Sequence, residues 1–203
     1  MNSALIVSDL EKDTAFFSVM LNVACINQIT CMNSVESAGK ILSKQDFDLI
    51  IVNSPLKDES GENFSRYAAS RGVSQVILLV ESECFDAVAA DCEDYEILIL
   101  SKPVDKALFW SAVLLAKSTH RRIRRVEAEN ARLKQKIDDI RVINRAKCLL
   151  ISYMKMSEQE SHRYIEKQAM DMRSTKRNIA EGILKRYDNY QPAEERVNDY
   201  AVG

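Results

Sequence analysis

Five short apolar runs, each followed by a stretch with helical spacing, fill the first 116 residues and constrain the fold more than any other feature. Ala4-Leu5-Ile6-Val7-Ser8 precedes a stretch in which Phe16, Phe17, Met20, Leu21 and Ala24 recur at helical intervals. The pattern repeats. Ile29-Thr30-Cys31-Met32 precedes Val35 to Leu42, and Asp48-Leu49-Ile50-Ile51-Val52-Asn53 precedes Phe64 to Ala69. Val76-Ile77-Leu78-Leu79-Val80 then precedes Phe85 to Ala90, and Ile97-Leu98-Ile99-Leu100-Ser101 precedes Ala107 to Ala116. Strands that are apolar along their whole length must be covered on both faces, and helices between successive strands supply that cover. The expected fold is an α/β doubly wound five-stranded parallel sheet. Ligand sites in such sheets form where loops leave the carboxyl ends of the strands. That rule picks out Asp9 after the first strand, Asn53 ending the third, and Lys102-Pro103 after the fifth.

The run Asp48 to Asn53 with Ser54-Pro55 and the later Gly61, together with Ser101-Lys102-Pro103, resembles the receiver domain of two-component response regulators over about the first 117 residues. The family binds magnesium with an acidic pair after strand one and accepts a phosphoryl group on an aspartate ending strand three. A Ser or Thr ends its strand four, and a lysine before proline follows strand five. This chain departs at the chemistry. Asn53 stands at the acceptor position, and an amide is a poor nucleophile that brings no charge to a cation. Asp9 is flanked by Ser8 and Leu10, so one acid remains of the pair, and strand four offers Val80 or Glu81 in place of a hydroxyl. The expectation is a degenerate receiver site of Asp9, Asn53 and Lys102 that is not phosphorylated and holds no metal, with Lys102 ion-paired to Asp9. The rival is phosphorylation of Asp48 or Asp58 instead.

Net charge divides the chain sharply. Residues 1–116 carry 8 Lys and Arg against 17 Asp and Glu, net -9, whereas 117–187 carry 19 against 9, net +10. An acidic module repels polyanions and a basic one attracts them, so two modules with different partners are expected. The five cysteines form no C-x-x-C pair and there are two histidines, so zinc spacing is absent; the cysteines are expected to be buried small apolar residues. Five glycines form no phosphate-binding loop, and no nucleophile-elbow or zinc-protease motif occurs. The chain is expected not to be an enzyme and to need no cofactor. No run of eighteen apolar residues and no basic leader at Met1-Asn2-Ser3-Ala4 suggest a cytoplasmic protein without membrane partners.

Ile123, Val126, Asn130, Leu133, Ile137, Ile140 and Asn144 are spaced by three and four throughout, an a/d heptad seam. With Asn130 at one a position and Leu133 at d, the seam predicts a parallel, two-stranded homodimer. A helix packing this stripe on its own domain is the plain alternative. The basic run His120-Arg121-Arg122-Ile123-Arg124-Arg125 ahead of the heptads also suggests a dimeric DNA-binding transcription factor of the basic-zipper kind. Only some six residues separate it from Leu114-Leu115-Ala116, too few for a free DNA-reading helix.

Residues 141–184 hold Ile143, Ala146-Lys147 and Leu150, then Glu160, Ala169 and Met170, then Ile179-Ala180. This spacing resembles the ANTAR domain, a three-helix RNA-binding module of bacterial transcription antiterminators. Cys148, His162 and Glu166 replace a glycine, an aromatic residue and an arginine usual in that family. The residues support three helices independently. Ser157 with Glu160 forms a capping box, and Ser174 is expected to cap the third helix. Leu149, Leu150, Tyr153 and Met154 of the first helix are expected to pack against Tyr164, Ile165, Ala169 and Met172 of the second. Ile179, Ile183 and Leu184 point inward from the third. The expected domains are a receiver-like domain at 1–117, a coiled-coil dimerisation helix at 118–140, an ANTAR-like module at 141–187 and a tail at 188–203.

Looped RNA is read by phosphate contacts and by stacking of splayed bases on aromatic, imidazole or guanidinium planes. Candidate RNA-binding residues are Arg141, Arg145, Lys147, His162, Arg173, Lys176 and Arg177, with Lys147 foremost. The resemblance implies a homodimer that grips tandem stem-loops in a nascent transcript and prevents a terminator from forming. A regulatory protein on the acidic domain would be one input. The remaining alternative is a protein adaptor of a two-component pathway.

Overall fold

The computed structural model describes residues 1–72 and 74–188. Strands β1 (Ser3–Val7), β2 (Gln28–Met32), β3 (Leu49–Asn53), β4 (Gln75–Val80) and β5 (Ile97–Ser101) pair in parallel in the order β2-β1-β3-β4-β5. Helices α1 (Glu11–Val23), α2 (Val35–Leu42), α3 (Glu62–Ser70) and α4 (Phe85–Asp91) alternate with them, and a short 3-10 turn at Ser82–Cys84 leads into α4. The doubly wound sheet expected from the apolar runs is therefore present. Side chains alternate across it. Ala4, Ile6, Leu49, Ile51, Ile77 and Leu79 face Phe17, Met20, Leu21 and Phe109, whereas Leu5, Val7, Ile50, Val52, Leu78 and Val80 face Ala38, Leu42, Phe64 and Val88. All five residues of β3 are buried, which is why its sequence shows no polar alternation. Gly61 opens α3 at φ +86, where an added Cβ would lie 2.8 Å from Val52 Cγ1; both the backbone and the space require glycine.

Helix α5 (Lys106–Met154) runs for 49 residues, about 74 Å at 1.5 Å per residue. It crosses the boundaries expected at 117 and 140 without interruption. No glycine or proline occurs within α5, so no residue of it breaks the helix by backbone chemistry. Asp105 caps its start by accepting the Leu108 N–H at 2.7 Å. Helices α6 (Glu158–Asp171) and α7 (Lys176–Asp188) follow. Contacts divide the chain into two compact units that meet at Val126 and Glu127, the second containing the remainder of α5 with α6 and α7. Among the described residues, no helix is long and apolar enough to cross a membrane.

The second unit has a small core of Ala146, Leu150, Ile165, Ala180 and Ile183, with Val142, Ile143, Tyr164, Ile179 and Leu184 packed around it. The capping box at Ser157 and Glu160 forms as expected. Three expectations are corrected. Met172 lies past the end of α6 and is 65% exposed, and Tyr153 and Met154, on the last turn of α5, are also exposed. Thr175, not Ser174, caps α7 by accepting the Asn178 N–H at 3.2 Å; Ser174 instead takes the Asn178 side-chain amide. Of the five cysteines only Cys92 is buried; Cys31 lies on the edge strand β2, Cys25 and Cys84 in turns, and Cys148 on an outward face of α5.

Asp48 sits just before β3, at the end of the sheet opposite Asn53, and accepts the backbone N–H groups of Asn2 and Ser3, with His120 Nε2 of α5 at 3.5 Å. Burial alone would raise its pKa, but those amide bonds and His120 outweigh burial and hold the carboxyl below its usual range. A carboxyl with a depressed folded pKa stabilises above the unfolded value, near 4, and loses that contribution as pH falls through the folded value. Asp48→Asn is expected to destabilise the N-terminal unit by roughly 1 to 2 kcal/mol at pH 7. Thermal melts at stepped pH should show that deficit shrinking below about pH 4; a deficit constant down to the acid limit would refute the ionic origin.

Candidate nucleic-acid interface and degenerate receiver site

Asn53 ends β3 at 2% exposure, and its side-chain nitrogen donates to Ser8 Oγ at 3.1 Å and to Asp13 Oδ2 at 2.8 Å. Asp13 comes from the first turn of α1. It is the acid that sequence reasoning missed. The one available signal was its place four residues after Asp9, one helical turn into the element that follows β1. Lys102, in the cis Lys102-Pro103 pair, donates to the Ser54 carbonyl and lies 3.2 Å from Glu81 Oε1. The expected Lys102–Asp9 pair is therefore replaced by Lys102–Glu81. β1 and β5 are separated by β3 and β4, about 14 Å at the usual strand spacing, whereas Glu81 leaves the adjacent strand. Asp9 instead borders a separate cleft with Glu11, Thr14 and Lys57.

The magnesium ion that receiver domains hold does not fit this donor set. Hard divalent cations take several oxygen ligands, whereas Asn53 turns N–H groups toward Asp13, and among the described residues no group of three acidic, His or Cys side chains is arranged to hold a metal ion. Asp58 accepts the backbone N–H groups of Val35 and Glu36, each at 3.2 Å, at the start of α2. Desolvation pushes its pKa up, and the stronger effect of these amides brings it below the usual value. Asp48 and Asp58 are thus both already engaged with backbone donors.

The second unit presents its cations in two distinct states. Lys147, on α5, pairs with Glu158 at 2.7 Å, and this bond lowers the Glu158 pKa. Lys176 and His162 both reach Glu166, with His162 Nε2 at 3.2 Å; Lys176 is the main cause of that carboxyl's lowered pKa. Arg177 is held by three carboxylates: Asp139 at 2.6 Å, Asp138 at 2.7 Å and Glu181 at 2.8 Å. Its pKa is raised, chiefly by Asp139, and the Asp139 pKa is correspondingly lowered. These contacts tie α7 to α5. Arg141, Arg145 and Arg173 are exposed and have no ion-pair partner among the described residues. Arg141 and Arg145 line a groove between α5 and α7 with Asn144, Cys148, Leu149 and Leu184. Sequence reasoning had placed Asn144 only in the heptad seam and had not singled out the other three for binding. A second set of cations, Lys155, Arg163 and Lys167, surrounds Met154, Met156 and Tyr164. It was missed because its residues belong to two helices joined by a turn.

The seam residues Val126, Leu133, Ile137 and Ile140 are between 45% and 57% exposed along α5, and Asn130 is exposed among them.

A receiver-type sheet with an altered acceptor end, followed by a helical unit with a cationic face, defines a response-regulator-like protein with a separate output module. Comparison with known proteins agrees. Residues 131–184 match the ANTAR domain. The transcriptional regulatory protein PdtaR of Mycobacterium tuberculosis is 28% identical over 138 residues, spanning 68% of this chain and 67% of that protein. The sheet-containing part resembles the signal receiver domain of an HD domain-containing protein from Pseudomonas fluorescens Pf-5, with a TM-score of 0.53 and 19% identity, over 61% of this chain and 91% of that one. It also resembles an AraC two-component transcriptional regulator from Clostridium phytofermentans ISDg, with a TM-score of 0.55 and 16% identity, over 61% and 98% of the two chains. These two likenesses establish fold alone. By these likenesses the chain resembles the ANTAR response regulators, with a receiver-like fold ahead of a segment that matches the ANTAR domain.

Proposed function

We propose that this protein is a cytoplasmic RNA-binding antitermination regulator that binds tandem stem-loops of a nascent transcript as a dimer. The observation that carries this reading is the set Arg141, Arg145 and Arg173, three exposed guanidinium groups of the ANTAR-matched segment without carboxylate partners among the described residues. A guanidinium already bound to carboxylates must exchange those bonds for phosphate ones, whereas an unpaired one gives up only water. Arg141 and Arg145 therefore rank ahead of Lys147, Lys176 and Arg177 as phosphate contacts. His162 is 46% exposed beside Glu166 and retains a ring edge for a base. Dimerisation is supported by the seam residues Val126, Leu133, Ile137 and Ile140, which are exposed along α5 and fit a second copy of themselves, while Ile123 is half-buried.

The receiver-like domain is not a phosphoryl acceptor in this proposal. Asn53 supplies an amide at the acceptor position, and Asp13 and Ser8 already occupy its N–H groups. Control then comes from elsewhere than phosphorylation, such as a regulatory protein on the acidic domain, a small ligand or expression level.

The test measures binding by fluorescence anisotropy. Tandem-hairpin RNA should bind far more tightly than duplex DNA of the same sequence, and affinity should fall as salt rises. Arg141→Ala with Arg145→Ala should weaken RNA binding by about tenfold or more per arginine, each charge-assisted contact contributing roughly 1 to 3 kcal/mol. Equal affinity for duplex DNA would favour a DNA-binding factor, and a protein partner retained after ribonuclease treatment would favour an adaptor.

A further inference from the structure

We propose that the groove between α5 and α7 takes one unpaired base of the RNA loop, with Asn144 reading its edge. This deepens the RNA-binding reading and rests on it. The groove joins three kinds of surface that a nucleotide needs together. Arg141 and Arg145 stand one turn apart on α5 at its rim, exposed and without carboxylate partners among the described residues, placed for the phosphates on either side of a base. Leu149 and Leu184 are half-buried and form an apolar floor drawn from both helices. Asn144 is exposed, and its side chain offers both a donor and an acceptor, the pair that a base edge presents in complement. The groove holds about 600 Å³, within the usual range for small-ligand sites and ample for a nucleotide.

Charge decides the occupant. Lys147, Lys176 and Arg177 are already paired internally, whereas Arg141 and Arg145 have no carboxylate partner among the described residues. The two unpaired arginines border an apolar slot, and phosphates flanking a flat apolar ring match that arrangement. Further along the same two helices, Tyr153 stacks on Tyr187 with ring centres 5.2 Å apart and planes 26° apart, and Tyr153 is 42% exposed. An aromatic surface thus lies beyond the apolar floor on the same two helices.

The groove contains its own reporter, since Cys148 is exposed within it while Cys25, Cys31 and Cys84 are exposed in the other unit. Four RNA hairpins sharing one stem, with loops of all A, all C, all G or all U, and the blunt stem duplex are the probes. Iodoacetamide labelling of the full-length protein is followed at each cysteine by mass spectrometry, with RNA binding measured in parallel by anisotropy. At least one loop should slow Cys148 labelling by about tenfold or more, whereas the blunt duplex and the other three cysteines show no change. Asn144→Ala should keep the helical circular dichroism and compress the spread of affinities among the four loops by about tenfold, the discrimination expected of a good base-edge contact. Hairpins that bind without protecting Cys148 would overturn the base pocket and leave the RNA reading intact. Cys148 shielded before RNA is added would assign the groove to a second copy of the chain. No hairpin binding at all would overturn both readings.

Discussion

Leu133→Glu combined with Ile137→Glu is expected to turn a dimer into a monomer and to reduce affinity for tandem-hairpin RNA by about 100-fold or more, while binding to a single hairpin changes little. The argument begins with exposure. Leu133 and Ile137 are 45% and 51% exposed on successive turns of α5, and Val126 and Ile140 extend the same stripe. Buried apolar area stabilises by about 25 cal/mol per Å², so a helix presenting this stripe to water gains from pairing. Asn130 lies in the same stripe, and a single amide at an a position favours two parallel strands in register. Glutamate is a good helix former, so the double variant retains α5 while placing like charges across the seam. Linking two modules converts the second RNA contact into an intramolecular one, and that gain disappears with the dimer. Sedimentation equilibrium and anisotropy with one-hairpin and two-hairpin RNAs test this. A native protein that stays monomeric, or a variant that keeps full affinity for tandem hairpins, would remove the dimer from the mechanism.

Much of the fold was legible because its signals are local. Strands buried on both faces must be apolar throughout, and β3 and β4 read so without ambiguity. Ser157 and Glu160 satisfy each other three residues apart, so the start of α6 could be read directly. Helix ends governed by conformation rather than by residue type were harder to read. Lys155 and Arg173 terminate α5 and α6 at φ +56 and +48, in a left-handed region where sequence reasoning looks for glycine. Site electrostatics were the least legible. Lys147 meets Glu158 across 11 positions and Arg177 meets Asp138 across 39, separations that no helical spacing rule predicts. Lys147 stood foremost among the seven candidates in the sequence, yet three-dimensional pairing engages it with Glu158 and separates Arg141, Arg145 and Arg173 from the rest. At the other end of the chain, the amide that ends the third strand was evident from the sequence at Asn53. The partner that accepts its amide, Asp13, required the structure, because α1 has to turn its first residues over the carboxyl end of β3.

Leu150→Ala is expected to unfold the ANTAR unit at 37 °C while the receiver-like unit melts as in the native protein. Leu150 is 1% exposed in a small core that it shares, among the described residues, with Ala146, Ile165, Ala180 and Ile183. Truncating a buried leucine costs about 2 to 5 kcal/mol, because both the transfer free energy and the contacts around the resulting cavity are lost. A unit this small has little stability to lose, since small domains bury a lower fraction of their surface. The receiver-like unit has two large apolar layers, one on each face of its sheet, and no part in this core. The expected record is a melt with two transitions in which only one moves, together with loss of RNA binding at 37 °C. Ile151→Ala, at a neighbouring position that is 36% exposed, should leave both transitions within about 0.5 kcal/mol of native. If both transitions shifted together for Leu150→Ala, the two units would fold as one cooperative body, and RNA binding could not be removed without also disturbing the Asn53 site.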